Sequence, residues 1–204
     1  MTNEFEKQFL KEIFRIADQL IQSNKVNPQG TIWKTFSYND RYDPPIFYEE
    51  KEGLYNGISG ILFFLYSLHE LHQDDRLAEM INVVKRRLIG IVLSNQKFSY
   101  SYYTGRIGTL YCLSKVCHDN KEKIVYSAIE KNLNFIHHQL KQQGVEKCIP
   151  KDDLLLGKSG AILGLLKIYE LIELPVCYEI IQLLTISLIS NHSCPKRLKK
   201  SADE

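Results

Sequence analysis

Apolar residues follow a helical period along most of the chain. Amphipathic runs cover residues 4–24, 75–94, 120–143 and 174–191, and more apolar runs lie between them. Apolar spacings of three and four residues are typical of helices that bury one face. We find no stretch with the strict alternation of a half-buried strand, so the pattern predicts an all-α fold.

Three of the apolar runs open with the pattern Gly-x-x-Gly. The pairs are Gly57 and Gly60, Gly105 and Gly108, and Gly157 and Gly160. Apolar residues recur every three positions after each pair, which predicts a helix beginning there. A repeat of about fifty residues predicts stacked helical hairpins, with the glycine-opened helices inside and the charged helices outside.

Glycine at a helix start needs a reason, because glycine inside a helix costs about 1 kcal/mol relative to alanine. One reason is packing, since removing side chains lets two backbones approach. Another is electrostatic, because neighbouring helix starts would direct free N–H groups and positive dipole ends at one region. Such a region would stabilise developing negative charge. The sequence leaves both reasons open.

Several motifs resemble the lanthionine synthetase C-like family, in particular the cyclase domain of LanM-type lantibiotic-modifying enzymes. They are "GTIWKTF" from Gly30, "LYNGISGILFFL" from Leu54 and "DDLLLGKSGAILGLLKIYEL" from Asp152, and the resemblance runs to about Asn191. It implies a double-layered α/α toroid of helical hairpins. Because we count about three and a half hairpins, we expect an incomplete toroid over 1–191, the N-terminal half only, and a polar, basic tail over 192–204.

The resemblance also implies a reaction, the formation of thioether rings in lantibiotic biosynthesis. In the family, a cysteine thiol of a precursor peptide adds to a dehydroamino acid at a zinc ion. Asp153, four residues before Gly157, matches the active-site aspartate of the family. Asp152 precedes it directly, so the assignment between the two stays open. The alternative is that Asp153 only caps the following helix or faces solvent.

Other parts of the family site have no counterpart in this sequence. The acid–base histidine precedes a fourth glycine pair in the family, and the zinc ligands lie in Cys-Gly and Cys-His-Gly motifs that are absent here. We therefore expect no metal ligands and no cofactor in this chain, and a partial cyclase-like domain that is inactive by itself. Whether the chain is an enzyme stays open. The alternative function is a non-catalytic scaffold that binds precursor peptide or a dehydratase. A toroidal carbohydrate hydrolase would need two facing carboxylates, and we find one candidate.

Polar and aromatic residues precede two of the glycine pairs. The candidates for peptide binding are Tyr55, Asn56, Tyr103 and Thr104. Together with Trp33 and Tyr102, the tyrosines could instead be half-buried staples that fix the chain entering each helix.

Composition narrows the class of protein further. The net charge of +2 argues against a nucleic-acid partner, and no apolar stretch reaches the length of a transmembrane helix. Charges throughout the first twenty residues argue against a signal peptide. Five scattered cysteines fit reduced thiols, so we expect a cytoplasmic protein. An open toroid should also pair with a C-terminal cyclase half or self-associate, with residues 174–191 as the seam.

Overall fold

Helices account for most of the structure. A computed structural model of the protein describes residues 4–23, 25–27, 30–37, 46–49, 52–55, 57–94, 98–118 and 122–193. The helices are α1 (Glu4–Ser23), α2 (Ile58–Leu71), α3 (Asp75–Leu93), α4 (Arg106–Val116), α5 (Lys123–Gln143), α6 (Val145–Cys148), α7 (Lys158–Ile172) and α8 (Pro175–Ser193). The predicted all-α class is confirmed, and the predicted runs agree with the helix bounds to within three residues. In the described part of the chain, no helix is long and apolar enough to cross a bilayer.

Two small β-hairpins lie between α1 and α2. Strand β1 (Lys25–Asn27) pairs antiparallel with β2 (Gly30–Ile32), and β3 (Lys34–Ser37) pairs antiparallel with β4 (Ile46–Glu49). The expectation that no strand interrupts the helices is wrong for this segment. Each strand has only three or four residues, which is too short for a period of two to be recognised.

The helices after the hairpins form two layers. Helices α2, α4 and α7 pack against one another in chain order, and each also packs against the helix of the outer layer that follows it, α3, α5 and α8 respectively. Helix α4 is buried almost all round, as an inner helix should be. The core between the layers includes the fully buried Leu65, Leu88, Leu113, Leu133 and Leu165. The predicted order of inner and outer helices is therefore confirmed.

Helix α1 packs at one end of these layers. The Phe14 ring meets the His72 ring edge-on, with 5.0 Å between centroids. Asp18 forms an ion pair with Arg76 at the start of α3, at 3.0 Å. The indole of Trp33 is buried and donates a hydrogen bond of 2.9 Å to the carbonyl of Leu20. Trp33 is thus a structural staple.

The first glycine of each pair is the N-cap residue of an inner helix. Its φ is −157° at Gly57, −135° at Gly105 and −112° at Gly157. All three φ values are negative and belong to extended backbone conformations, which residues with a side chain also adopt. Conformational freedom is therefore not why glycine stands here.

The second position of each pair is glycine because there is no room for a side chain there. A Cβ atom there would overlap the carbonyl oxygen of the residue six positions earlier in the preceding loop. The overlapping pairs are Gly60 with Leu54, Gly108 with Tyr102, and Gly160 with Leu154. The loop backbone lies directly on the first turn of each inner helix. These contacts favour the packing reason for the second glycine of each pair.

Hydrogen bonds across seven residues close the loops before the inner helices. The Arg106 N–H donates to the carbonyl of Ser99 at 2.8 Å, and the Lys158 N–H donates to that of Lys151 at 2.9 Å. In the first loop the Ser59 N–H donates to the carbonyl of Glu52 at 3.3 Å. Each loop therefore has a fixed length and a fixed position on its helix.

Candidate functional site

The loops precede inner helices that pack against one another in chain order, and we call the outer surface of these loops the loop face. It comprises residues 52–55, 98–105 and 151–157. The Tyr55 N–H donates a hydrogen bond of 2.7 Å to the carbonyl of Tyr103, which joins the first two loops. The hydroxyls of Ser59 and Thr109 are 3.1 Å apart, so the starts of α2 and α4 also adjoin.

The predicted aromatic residues divide into accessible and buried ones. Tyr55 is 77% exposed and Tyr103 is half-buried, so both can contact a ligand on the loop face. Tyr102 is only 5% exposed, and burial raises the pKa of its hydroxyl. The Thr104 hydroxyl is 2.9 Å from that of Ser101. Asn56 lies outside the described residues.

Asp153 lies in the third loop, just before α7. Its side chain is exposed, and its Oδ1 accepts hydrogen bonds from the N–H groups of Leu155 at 2.8 Å and Leu156 at 2.7 Å. Both bonds fix the turn that leads into α7. The carboxylate therefore caps a turn of the loop and not the helix, whose N-cap Gly157 has no side-chain hydrogen bond, and it is also accessible to a ligand.

Asp152 has a different environment from its neighbour. Its Oδ1 is 2.6 Å from Nζ of Lys158, an ammonium group that is fully buried. The same Nζ donates to the carbonyl of Ile149 at 3.1 Å and to Glu146 at 3.2 Å. Burial lowers the pKa of Lys158, but these hydrogen bonds outweigh it and the pKa is raised. Asp152 thus neutralises a buried cation, whereas Asp153 is accessible on the loop face.

Arg106 is a second buried cation that the sequence did not reveal. Its Nε is 2.8 Å from a carboxylate oxygen of Glu52, and its Nη1 donates to Oδ1 of Asn132 at 2.8 Å. Its guanidinium carbon lies 3.8 Å from the centre of the Phe98 ring. Arg106 and Lys158 each follow the first glycine of a pair directly. Their equivalent positions in the repeat could have marked these two cations as a pair in the sequence, but the sequence does not show that both side chains are buried.

Carboxylates of the chain itself already lie near the starts of α4 and α7. Burial raises the pKa of Glu52, while its attraction to Arg106 opposes the shift. Asp153 accepts hydrogen bonds in the turn before α7. Both carboxylates are therefore engaged within the chain, Glu52 by the side chain of Arg106 and Asp153 by N–H groups of its own loop.

The described residues do not fit the zinc site that the family resemblance implies. They contain no group of three or more His, Cys, Asp or Glu side chains that could hold a metal ion. Burial raises the pKa of Cys117 to about 11 and that of Cys177 to about 12, and Cys112 is completely buried. A zinc ligand must be a thiolate, so these environments oppose metal binding.

Three consecutive leucines of the third loop were missed as site residues. Leu154, Leu155 and Leu156 are 49%, 57% and 42% exposed. Leu155 stands two residues before its glycine, in the same position as Tyr55 and Tyr103. Aligning the three loops residue by residue would have identified it. The loop face therefore combines exposed apolar side chains with one accessible carboxylate.

Comparison with known proteins gives one family. The family model described as "Lanthionine synthetase C-like protein" matches residues 48–203, which is more than half of the chain. The match includes α2 to α8 and the loop face. A search among curated proteins found no match.

Proposed function

Because the chain belongs to the lanthionine synthetase C-like family, we propose that it takes part in lanthipeptide modification. In this proposal it binds a precursor peptide across the loop face and presents Asp153 to the bound segment. The observation that supports this most directly is the accessible carboxylate of Asp153 beside exposed leucines. The specific likeness to LanM-type cyclase domains and the cytoplasmic location remain predictions from the sequence.

Each part of the loop face has a role in this proposal. Tyr55, Tyr103 and Leu155 contact apolar side chains of an extended peptide, because they are large, accessible residues at equivalent loop positions, two of them exposed and Tyr103 half-buried. Asp153 accepts hydrogen bonds from peptide N–H groups next to the reacting cysteine. The loops are held by hydrogen bonds and glycine contacts, so little ordering is needed on binding.

We expect this chain by itself not to close thioether rings. Ring closure forms a bond between a cysteine sulfur and the β-carbon of a dehydroamino acid, and the α-carbon then takes up a proton. The attacking species is the thiolate of the peptide's own cysteine. The described residues of this chain contain no group of His, Cys, Asp or Glu that could hold a metal ion to lower the pKa of that thiol. Incubation with a dehydrated precursor peptide, followed by thiol counting, should show no loss of thiols beyond the uncatalysed rate.

Binding can be measured separately from ring closure. We would titrate the chain into a fluorescein-labelled, dehydrated lanthipeptide core peptide and follow the anisotropy. Tyr55→Ala and Leu155→Ser should each weaken binding by about threefold to tenfold, which corresponds to about 0.7–1.4 kcal/mol. Ile124→Ser, at an exposed apolar position of α5 far from the loops in sequence, is the matched control. Equal affinity of all four proteins would contradict the proposal.

A non-catalytic scaffold is the second candidate function. Oδ1 of Asp153 accepts both of its hydrogen bonds from N–H groups of its own turn, which gives the residue a structural role that needs no reaction. The test is the variant Asp153→Asn. The scaffold function is favoured if this variant has the same affinity for the core peptide as the parent chain and, together with a separate cyclase, gives the same rate of ring closure. A dehydratase partner would then be the next candidate to test for binding.

A further inference from the structure

A cavity of about 410 Å³ lies between the C-terminal end of α3, the beginning of the second loop and the middle of α5. Its lining includes Val92, Leu93, Phe98, Lys131, Asn132 and Phe135. Pockets that bind small molecules have volumes of about 300–1,000 Å³ and are mostly apolar with a few polar groups, and this cavity has both properties. Of these residues only Phe98 belongs to the loop face, so the cavity is a separate place in the fold.

Two phenylalanine rings line the cavity next to each other. The ring centroids of Phe98 and Phe135 are 6.0 Å apart, and the rings are tilted by 58°, which is within the range of attractive aromatic pairs. Phe135 is 48% exposed and Leu93 is 53% exposed, so both have apolar surface that a ligand can cover. The walls therefore favour an apolar ligand, and an aromatic ring in particular.

The Phe98 ring is held in place by its own neighbours. The guanidinium carbon of Arg106 lies 3.8 Å from the centre of the ring, and the Tyr100 ring meets it edge-on with 5.5 Å between centroids. Arg106 is itself buried and paired with Glu52. The cavity is therefore formed before a ligand binds, which reduces the entropic cost of binding.

Polar groups on the buried side of the cavity bond to one another. Nδ2 of Asn132 donates to the carbonyl of Val92 at 3.0 Å and to that of Ala128 at 2.9 Å. Nη1 of Arg106 donates to the same Val92 carbonyl at 3.1 Å and to Oδ1 of Asn132. An extended peptide binds largely through main-chain hydrogen bonds, and these groups are already used. The arrangement therefore favours a small molecule held by apolar contact.

Lys131 gives the cavity a positive charge. Its side chain is exposed, and no ion pair of the described residues includes it. The described lining residues contain no carboxylate. The C-terminal dipole of α3 would oppose an anion, but the carbonyls of its last turn at Gly90, Ile91 and Val92 all accept hydrogen bonds, the last from the cationic Arg106. The cavity therefore favours a ligand with one negative charge.

We propose that this cavity binds a small monocarboxylate that carries one aromatic ring. The ring packs against Leu93, Phe98 and Phe135, and the carboxylate pairs with the ammonium group of Lys131. An exposed ion pair contributes little, so burial of the ring supplies most of the affinity. This inference does not depend on peptide binding at the loop face.

Phenylbutyrate is the probe, and phenylbutanol is its neutral counterpart. We would titrate each into the full chain and measure the Kd by calorimetry. Phenylbutyrate should bind with a Kd of about 1 mM or below, and about threefold more tightly than the alcohol. Lys131→Gln should abolish this preference and leave the affinity for the alcohol unchanged. Phe135→Ala should weaken binding of both compounds by about fivefold, because less of the ring is buried.

Matched controls lie on the same helix. Lys123→Gln and Ile124→Ala change an exposed cation and an exposed apolar side chain at the beginning of α5, outside the cavity lining. Both variants should bind the two compounds as the parent does. Circular dichroism checks the fold of every variant. If Phe135→Ala is misfolded, Leu93→Ala replaces it with the same expected loss.

Three results would overturn the proposal. One is the absence of saturable binding of phenylbutyrate to the parent chain. Another is an undiminished preference for the acid in Lys131→Gln, or an undiminished affinity in a folded Phe135→Ala. The third is that phenylbutyrate does not bind while Phe135→Ala weakens binding of the fluorescein-labelled core peptide, which would assign the cavity to a peptide.

Discussion

The loops before α4 and α7 share one backbone arrangement and differ in their ion pairs. In both, an N–H donates to a carbonyl seven residues earlier, and in both the second glycine contacts a loop carbonyl. In both, the residue after the first glycine is a buried cation, Arg106 or Lys158.

The partners of these two cations come from different distances along the chain. Arg106 pairs with Glu52 of the first loop and bonds to Val92 and Asn132 of the outer helices. The partners of Lys158 all lie within the twelve residues before it. One cation therefore connects the layers, and the other fixes a single loop. A repeated backbone can thus carry different stabilising roles.

The largest effect is expected from Arg106→Met. The change leaves Glu52 without its counter-charge and removes the donor to the Val92 carbonyl, so we expect a loss of about 3–5 kcal/mol in the free energy of unfolding. Urea denaturation measures it. Arg86→Met, at an exposed site of α3, should stay within about 0.5 kcal/mol of the parent. A loss below about 1 kcal/mol would mean that Arg106 does not connect the layers.

The shared backbone predicts equal effects of alanine at the second glycine. Gly108→Ala and Gly160→Ala should each cost about 1–3 kcal/mol, because the new methyl group must displace a loop carbonyl. Gly90→Ala is the control, since a Cβ there meets nothing within 4 Å. That variant should gain up to about 1 kcal/mol. A large cost at only one of the two sites would show that the loops are not equivalent.

Lys158→Met should cost less than Arg106→Met. The side chain of Glu146 is 55% exposed and that of Asp152 is 32% exposed, so water can solvate both when the ammonium group is lost. We expect about 1–2 kcal/mol by urea denaturation. A cost equal to that of Arg106→Met would remove the distinction between the two cations.

The smallest effect concerns the cap of the third loop. Asp153→Ala removes the acceptor for two N–H groups and should cost about 1 kcal/mol, while Asp153→Asn should cost a few tenths because an amide oxygen still accepts. Thermal unfolding of the two variants tests this. Equal stability of Ala and Asn variants would show that the turn does not need the cap.

The helices were predicted well from the sequence because the helical period repeats over long runs of residues. In runs of about twenty residues a single exception does not hide the period, so α3, α5 and α8 were located to within three residues. The strands between Lys25 and Glu49 were missed because each has only three or four residues, at most two periods of the alternation. The glycine pairs located the inner helix starts since their spacing repeats three times.

The site was predicted less completely, because burial depends on contacts distant in sequence. The burial of Arg106 is set by Glu52, 54 residues earlier, and by Asn132, 26 residues later. Asp152 and Asp153 look alike in the sequence and differ through their partners, which are Lys158 for Asp152 and two loop N–H groups for Asp153. The aspartate that stays accessible could therefore be named only from the structure.

The seven-residue closure of each loop also determines where this chain tolerates added residues. One inserted residue between Ser99 and Arg106, or between Lys151 and Lys158, would shift the carbonyl that lies on the second glycine and break the closing hydrogen bond. The turn between α2 and α3 has no such double constraint. Affinity tags or fluorophores therefore belong at Gln73, which is exposed on the side of the molecule where inner helices end.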